Sequence, residues 1–427
     1  MSNQSKTALF IARQWPDPKS TAAGWRMIQL IEHFERLNFS VYLATTQSTS
    51  EAFFEDNSQV KTLEIALNDD GFDVEIKAIN PDYVVFDRFM TEEQYGWRVR
   101  GICPEALTIL DTEDCHFLRL ARAEYIKERP LEFDASACGE QALFTQYSMR
   151  ELASIWRCDL SLIISKYEYE LLKSTFSVPE GLLFYLPLIL EPEKADQNTA
   201  TICGNKSWSD RANFLWVGNR KHDPNDDSLK YLLTYLWPFI HRQLPEAALH
   251  IVGPNGTAMQ KQLMDKSPSV VDLGWVDKLP ELLSKYRVNL APLRFGAGLK
   301  GKVLQSIGLG LPTVTSNIGA EGLFLEDKPL IGAAQSADEF IAKAEQLYTD
   351  KAHWTQIQKQ GIECVNAHFS ATTYFTELQK CLQAIKDDLS LHRQRYFMGQ
   401  ILQHQSLNAS KYMGRWLTLK NQVISPE

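Results

Sequence analysis

Short apolar runs alternate with amphipathic stretches in two successive series, and a polar segment without apolar periodicity separates them. A strand covered on both faces reads as a continuous apolar run, while its crossover helix shows a 3.6-residue period. The alternation therefore calls for parallel sheets flanked by helices. In the first series TALFIA (7–12) reads as a buried strand. The helix after it carries Met27, Leu30, Ile31, Phe34 and Leu37 at i, i+3/i+4 spacing, and VYLAT (41–45) is the next strand. Further strands fall at 83–87 (YVVFD), 107–111 (LTILD), 160–165 (LSLIIS) and 182–188, with a long, mostly helical segment over 135–156.

The second series opens with a strand at 214–217 and a helix carrying Leu229, Leu232, Leu233, Leu236 and Ile240. Strands follow at 248–252, 270–273, 288–291, 312–315 and 330–331, and past Ser336 only helical patterns remain. The expected fold is α/β, with two Rossmann-like doubly wound lobes facing across a cleft and a C-terminal helical segment. The lobes are assigned to 1–190 and 211–370, joined by a linker at 191–210, with helices over 371–427. Ligands of such sheets bind at the carboxyl ends of the strands, so function is expected in the strand-to-helix loops.

Composition narrows the partners. The chain of 427 residues has 44 Lys+Arg against 53 Asp+Glu, a net charge of −9, which argues against a general nucleic-acid binder. Its seven cysteines are scattered without a C-x-x-C pair and read as free thiols of a reducing cytosol. No export signal is evident, and the longest apolar run, 182–190, is broken by Pro187 and far short of the ~20 residues of a spanning helix. A soluble, cytoplasmic protein is expected.

The densest loop is APLRFGAGLKGKV (291–303), between a strand and a helix. Gly296, Gly298 and Gly301 permit close backbone approach to a ligand, and the helix N-terminus offers N–H groups to an anion. Arg294, Lys300 and Lys302 add three positive charges. A phosphate or diphosphate fits this loop; a glycine-rich turn with solvated lysines is the plainer alternative. The same glycines match G-x-G-x-x-G, with Glu321 at the spacing of a ribose-binding acid, so an NAD-dependent oxidoreductase stays open. After the strand ending at Asp111, the run Asp111-Thr-Glu113-Asp114-Cys-His116 gathers carboxylates and a histidine suited to hydroxyl recognition or proton handling. Asp111 and His116 are the candidate catalytic pair, with a structural histidine and a helix-capping Asp114 as the alternative. Asp87-Arg88, at the end of a neighbouring strand, can form an ion pair. No His-x-x-x-His pair or Asp-x-Asp occurs, and no metal site is expected.

The stretches 214–240, 291–316 and 317–323 (NIGAEGL) resemble the donor-binding lobe of GT-B glycosyltransferases, specifically the retaining family 4, or "group 1". The resemblance runs along about 214–369; in the first lobe it rests on the pattern and on the loop at Gly24, which a plain helix start explains nearly as well. It implies a nucleotide diphosphate-sugar donor in the second lobe, with no cofactor, and a glycan, lipid-linked or protein acceptor held mainly by the first. Together with the loop reading, it makes Gly24, Gly218, Asn219, Arg220, Lys221, Arg294, Gly296, Ala297, Gly298, Lys300, Lys302, Gln305 and Glu321 the candidate donor contacts. Transfer is implied to proceed with retention and without a metal. The family's Glu-x7-Glu motif is lost, since its positions hold Ala297 and Gln305. That departure leaves room for a non-catalytic binding or regulatory protein of the same fold.

The tail is the last feature. Residues 390–426 hold Arg393, Arg395, Lys411, Arg415 and Lys420 and no acid. Phe397, Met398, Ile401 and Leu402, then Met413, Trp416 and Leu417, form two short apolar faces at helical spacing. Packing against the first lobe and peripheral contact with the inner face of a membrane are both compatible with them.

Overall fold

The structure, a computed structural model, describes residues 6–17, 21–47, 59–190, 206–325, 328–329, 332–369, 371–404 and 406–424. The first lobe is built on seven parallel strands: β1 (Thr7–Ala12), β2 (Ser40–Thr45), β3 (Lys61–Glu64), β4 (Tyr83–Asp87), β5 (Leu107–Asp111), β6 (Leu160–Ile163) and β7 (Leu183–Tyr185). Their order is β3-β2-β1-β4-β5-β6-β7. The second lobe carries β8 (Ala212–Val217), β9 (Leu249–Val252), β10 (Val270–Gly274), β11 (Tyr286–Ala291) and β12 (Thr313–Ser316). After a small hairpin of β13 (Phe324–Leu325) and β14 (Lys328–Pro329), β15 (Gly332–Ala334) completes a parallel sheet ordered β10-β9-β8-β11-β12-β15. Each sheet reverses its winding once, between β1 and β4 and between β8 and β11.

The first lobe's helices are α1 (Ala22–Arg36), α2 (Gly71–Ile79), α3 (Arg88–Ile102), α4 (His116–Glu128), α5 (Gln146–Arg157) and α6 (Lys166–Ser174). The second lobe has α7 (Asp223–Tyr231), which runs through a π-turn (Leu232–Leu236) into α8 (Trp237–Gln243). There follow α9 (Ala258–Lys266), α10 (Leu279–Leu283), α11 (Gly301–Gly308), α12 (Asn317–Ala320), α13 (Ala337–Thr349) and α14 (Lys351–His368). The chain closes with α15 (Ala371–Asp387), α16 (Leu389–Arg395), α17 (Met398–Gln403) and α18 (Ser406–Ile424). Helix starts carry the short polar residues that satisfy orphan N–H groups: Thr21, Thr145, Ser165 and Ser336 each accept from the first turn.

The central strands are covered on both faces, with β4 and β5 buried along their whole length, whereas the edge strand β10 is largely exposed. The elements that differ from expectation are those without a continuous apolar run. β3 (KTLE) is a half-exposed edge strand. The segment 135–156 is two 3-10 turns followed by α5. The strand expected at 330–331 and most of the linker, 191–205, lie outside the described residues.

The lobes interpenetrate at two points. Phe133, from the segment after α4, is buried in the core of the second lobe near Tyr231 and Phe340. In the other direction, α15 lays Phe375, Leu378, Leu382 and Ile385 into the first-lobe core that contains Phe10, Phe34 and Tyr83. Arg393 of α16 then reaches both carboxylate oxygens of Asp159 at 2.8 Å. Packing of the tail stops there and at α17, whose Gly399 abuts the Trp156 backbone. In α18 every residue from 410 to 420 is exposed, so the expected packing of its apolar face on the first lobe does not occur.

Candidate functional site

The two winding reversals face each other, and between them lies a cleft of about 440 Å³. Its lining comes from the loops at the carboxyl ends of the strands flanking the reversals, where an open parallel sheet leaves a crevice. Arg13 and Gln14 follow β1, Arg88 follows β4, and Glu113, Asp114 and His116 follow β5. From the second lobe, Asn219 and His222 follow β8, and residues 295–303 follow β11.

The β11 loop explains its glycines. Gly296 (φ 147°) and Gly298 (φ 66°) occupy backbone conformations that side chains rarely adopt. A Cβ on Gly298 would also lie 2.8 Å from that of Asp114 in the opposite lobe. Its N–H donates to Glu168 Oε1 at 2.9 Å, and the same oxygen accepts from Cys115 N at 2.8 Å, so one buried carboxyl joins the lobes. Burial above all, with Asp114 and Glu321 nearby, pushes Glu168 up to about 7. Beneath the loop Arg122 forms a bidentate ion pair with Glu321 at 2.6 and 2.7 Å and donates to Gly296 O at 2.9 Å.

Five cations line the cleft, namely Arg13, Arg88, Arg119, Lys300 and Lys302, against two acids, Glu113 and Asp114. Arg88 is paired with Asp87 at 2.9 Å, and Arg119 with Asp114. Lys300 donates to Gly298 O at 2.8 Å and lies 3.6 Å from Glu321. Lys302 sits in the first turn of α11, whose N-terminal N–H groups add partial positive charge. Burial lowers its pKa and Asp17 opposes that shift.

On the first-lobe wall, Glu113 (φ 55°) and Arg88 (φ 68°) both hold left-handed backbone conformations, a form of strain that concentrates at functional sites. Glu113 is buried with Oε1 unpartnered among the described residues. Burial and then Asp111 push it up to about 8, so it holds its proton at neutral pH. For Asp114 burial is outweighed by Arg119, His116 and Arg88, which hold the carboxyl below its ordinary range. Burial lowers His116 to about 4, leaving a neutral imidazole with Nε2 3.7 Å from Asp114.

Of the residues singled out in the sequence, the structure brings Arg88, Glu113, Asp114, His116, Asn219, Gly296, Ala297, Gly298, Lys300, Gly301 and Lys302 to the cleft. The others lie elsewhere for identifiable reasons. Asp111 is fully buried and bonded to Arg26 Nε at 2.8 and 3.1 Å, which makes it a structural ion pair behind the wall. Gly24 gives its N–H to the Thr21 cap and is a glycine because a Cβ would strike the Asp17 backbone. Arg220 turns away to bind Gly253 O and Asp272, and Lys221 is exposed outside the lining. Gly218 is held by Val252 O behind Asn219. Arg294 is consumed by Asp227 and by the carbonyls of Pro130 and Glu132. Gln305 lies one turn into α11, outside the lining. Glu321 is held by Arg122, which removes the acid that the dinucleotide reading needs. Sequence reasoning missed Arg13 and Glu168, and gave Glu113 no individual role. Arg13 had a legible position, directly after a strand that borders a winding reversal. Among the described residues no three His, Cys, Asp or Glu side chains converge to hold a metal.

Two Rossmann-like lobes meeting across a ligand cleft at their winding reversals constitute the GT-B fold. Residues 211–350, in the second lobe, match the family model described as glycosyl transferases group 1. No curated protein matches the chain by sequence. Among solved structures the chain is similar to sucrose-phosphate synthase from Thermosynechococcus elongatus, with a TM-score of 0.67 at 16% identity over 89% of this chain and 99% of that one. It is also similar to the Anabaena protein HepE in complex with UDP and glucose, with a TM-score of 0.62 at 10% identity over 88% and 99%. A third is TarM from S. aureus, with a TM-score of 0.66 at 7% identity over 89% and 99%. At these identities the likeness establishes the fold.

Proposed function

We propose that the protein is a glycosyltransferase that moves a sugar from a nucleotide diphosphate-sugar to an acceptor hydroxyl, with retention of configuration and without a metal. The observation that carries this reading is the concentration of five cations and a helix N-terminus in one cleft of an acidic chain. A diphosphate leaving group needs that charge, and preorganised cations stabilise it as its negative charge develops. Lys302, Lys300 and the N–H groups opening α11 would hold the diphosphate. Glycines 296 and 298 let backbone approach the sugar. Across the cleft, the neutral His116 imidazole and the protonated Glu113 carboxyl can hydrogen-bond acceptor or sugar hydroxyls without a net charge that would oppose the anion. Catalysis then rests on positioning between the two walls.

The replacement of a carboxylate by Ala297 in the lining favours a second reading, in which the cleft binds a nucleotide sugar without turnover. Calorimetry with nucleoside diphosphates, their sugar conjugates and NAD, followed by donor-consumption assays with hydroxyl acceptors, separates the two. Binding of the diphosphates with acceptor-dependent release of free diphosphate supports transfer, and the anomeric configuration of the product tests retention. Binding without release supports the second reading. Binding of NAD alone refutes both.

A further inference from the structure

The last helix, α18, is long, regular and uncovered. Every residue from 410 to 420 is exposed, and Tyr412, Met413, Trp416, Leu417 and Leu419 are each between 45% and 62% accessible. Tyr412, Trp416 and Leu419 fall at i, i+4 and i+7, and Met413 and Leu417 flank them at i+1 and i+5, so the five share one side of the helix. Lys411 lies on the opposite side and Arg415 at the edge of the apolar side beside Leu419, while Lys420 reaches over Trp416 with its ammonium 4.9 Å from the ring. A lysine on the apolar side is compatible with an interface, where its stem lies among apolar groups and its head remains in water. The segment has no acid from residue 390 to 426, in a chain whose net charge is −9. Preceding it, Phe397, Met398 and Ile401 are exposed in and beside α17. Gln403 of α17 lines a cavity of about 550 Å³ together with the exposed Trp97 and Met149 of the first lobe.

We propose that α18 is an interfacial helix that docks the protein on an anionic lipid surface. Three features select a bilayer over other occupants. The apolar side carries Tyr and Trp, the rings suited to the headgroup boundary. The cations stand without acids, so they complement a negative surface. No described helix is long and apolar enough to cross a membrane, which leaves lying on the surface as the mode of contact. Because α17 packs on α5, docking would hold the first lobe beside the lipid. The proposal is independent of the activity proposed above.

Co-sedimentation tests it. The full chain is mixed with vesicles of phosphatidylcholine alone or of phosphatidylcholine and phosphatidylglycerol, at low and high salt. It should pellet with the anionic vesicles at low salt and be released as salt rises. K411Q/R415Q/K420Q should lower the partition coefficient by roughly tenfold or more. W416S/L417S should lower it at both salt concentrations. The substituted side chains are exposed, so an unchanged melting temperature certifies the fold of each variant. Failure to pellet with anionic vesicles at low salt overturns the proposal. So does equal binding to both vesicle types that survives both sets of substitutions. A concentration-dependent dimer in light scattering that W416S/L417S dissolves would assign the face to a second copy and equally overturn it.

Discussion

The buried pair between Arg122 and Glu321 permits a quantitative test of how the lobes are held together. Its side chains are 4% and 10% exposed, and its two N–O contacts are 2.6 and 2.7 Å. Removing one member of such a pair typically costs about 3–5 kcal/mol, because the other is left charged and dry. Here Lys300 stands 3.6 Å from Glu321 and can compensate in part. Arg122→Met should therefore cost somewhat less than that range, about 2–4 kcal/mol, with loss of the bond to Gly296 O included. Glu321→Met leaves Arg122 and Lys300 facing each other without an acid between them and should cost at least as much. The double substitution replaces the pair with apolar volume and should cost less than the sum of the singles, with a coupling of about 2 kcal/mol. Urea denaturation followed by circular dichroism reads these values, provided the m-value stays constant across the four proteins. Strict additivity, or singles costing less than about 1 kcal/mol, would refute the view that this pair bears the lobe contact.

Three further outcomes follow from the cleft. Lys302→Ala should weaken nucleoside-diphosphate binding by about 1–3 kcal/mol in calorimetry, the range of a charge-assisted hydrogen bond; unchanged affinity removes Lys302 from the site. His116→Ala should lower turnover far more than donor affinity, because His116 stands on the wall opposite the α11 loop. Equal losses in both would place His116 on the donor. Glu113, held up at about 8 by burial and Asp111, gives stability that is fully present below its unfolded pKa and lost as pH rises through its folded one. Glu113→Gln should therefore flatten the decline in melting temperature between about pH 5 and pH 9; parallel curves for the two proteins would show that Glu113 ionises normally.

The central strands were legible because they are covered on both faces, which turns YVVFD and LTILD into nearly unbroken apolar runs. β3 was not, since an edge strand with half its residues in water needs no such run. The glycine loop was legible for a similar local reason: its positive-φ glycines stand in series before a helix. What the sequence could not display is how charges are consumed. Arg294 meets Asp227 and the carbonyl of Pro130, Arg220 meets Asp272, and Glu321 meets an arginine 199 positions away. Each looked available in its own loop, and each is neutralised by a partner that only the tertiary fold supplies. Arg13 and Glu113 show the converse, ordinary residues made distinctive by the strands they follow.

The return of α15 bears on the order in which this chain can complete itself. The first lobe's core closes only when Phe375, Leu378, Leu382 and Ile385 arrive beside Phe10, Phe34 and Tyr83. The second lobe lies between those two sets of residues, so the first-made half must wait for a helix made after the second lobe. During synthesis the β1–β4 region would present an unsealed apolar face while the rest of the first lobe and the whole second lobe emerge and fold, an interval in which aggregation competes with closure. Chains cut before α15 should accordingly be held by chaperones or precipitate, although they contain both sheets entire.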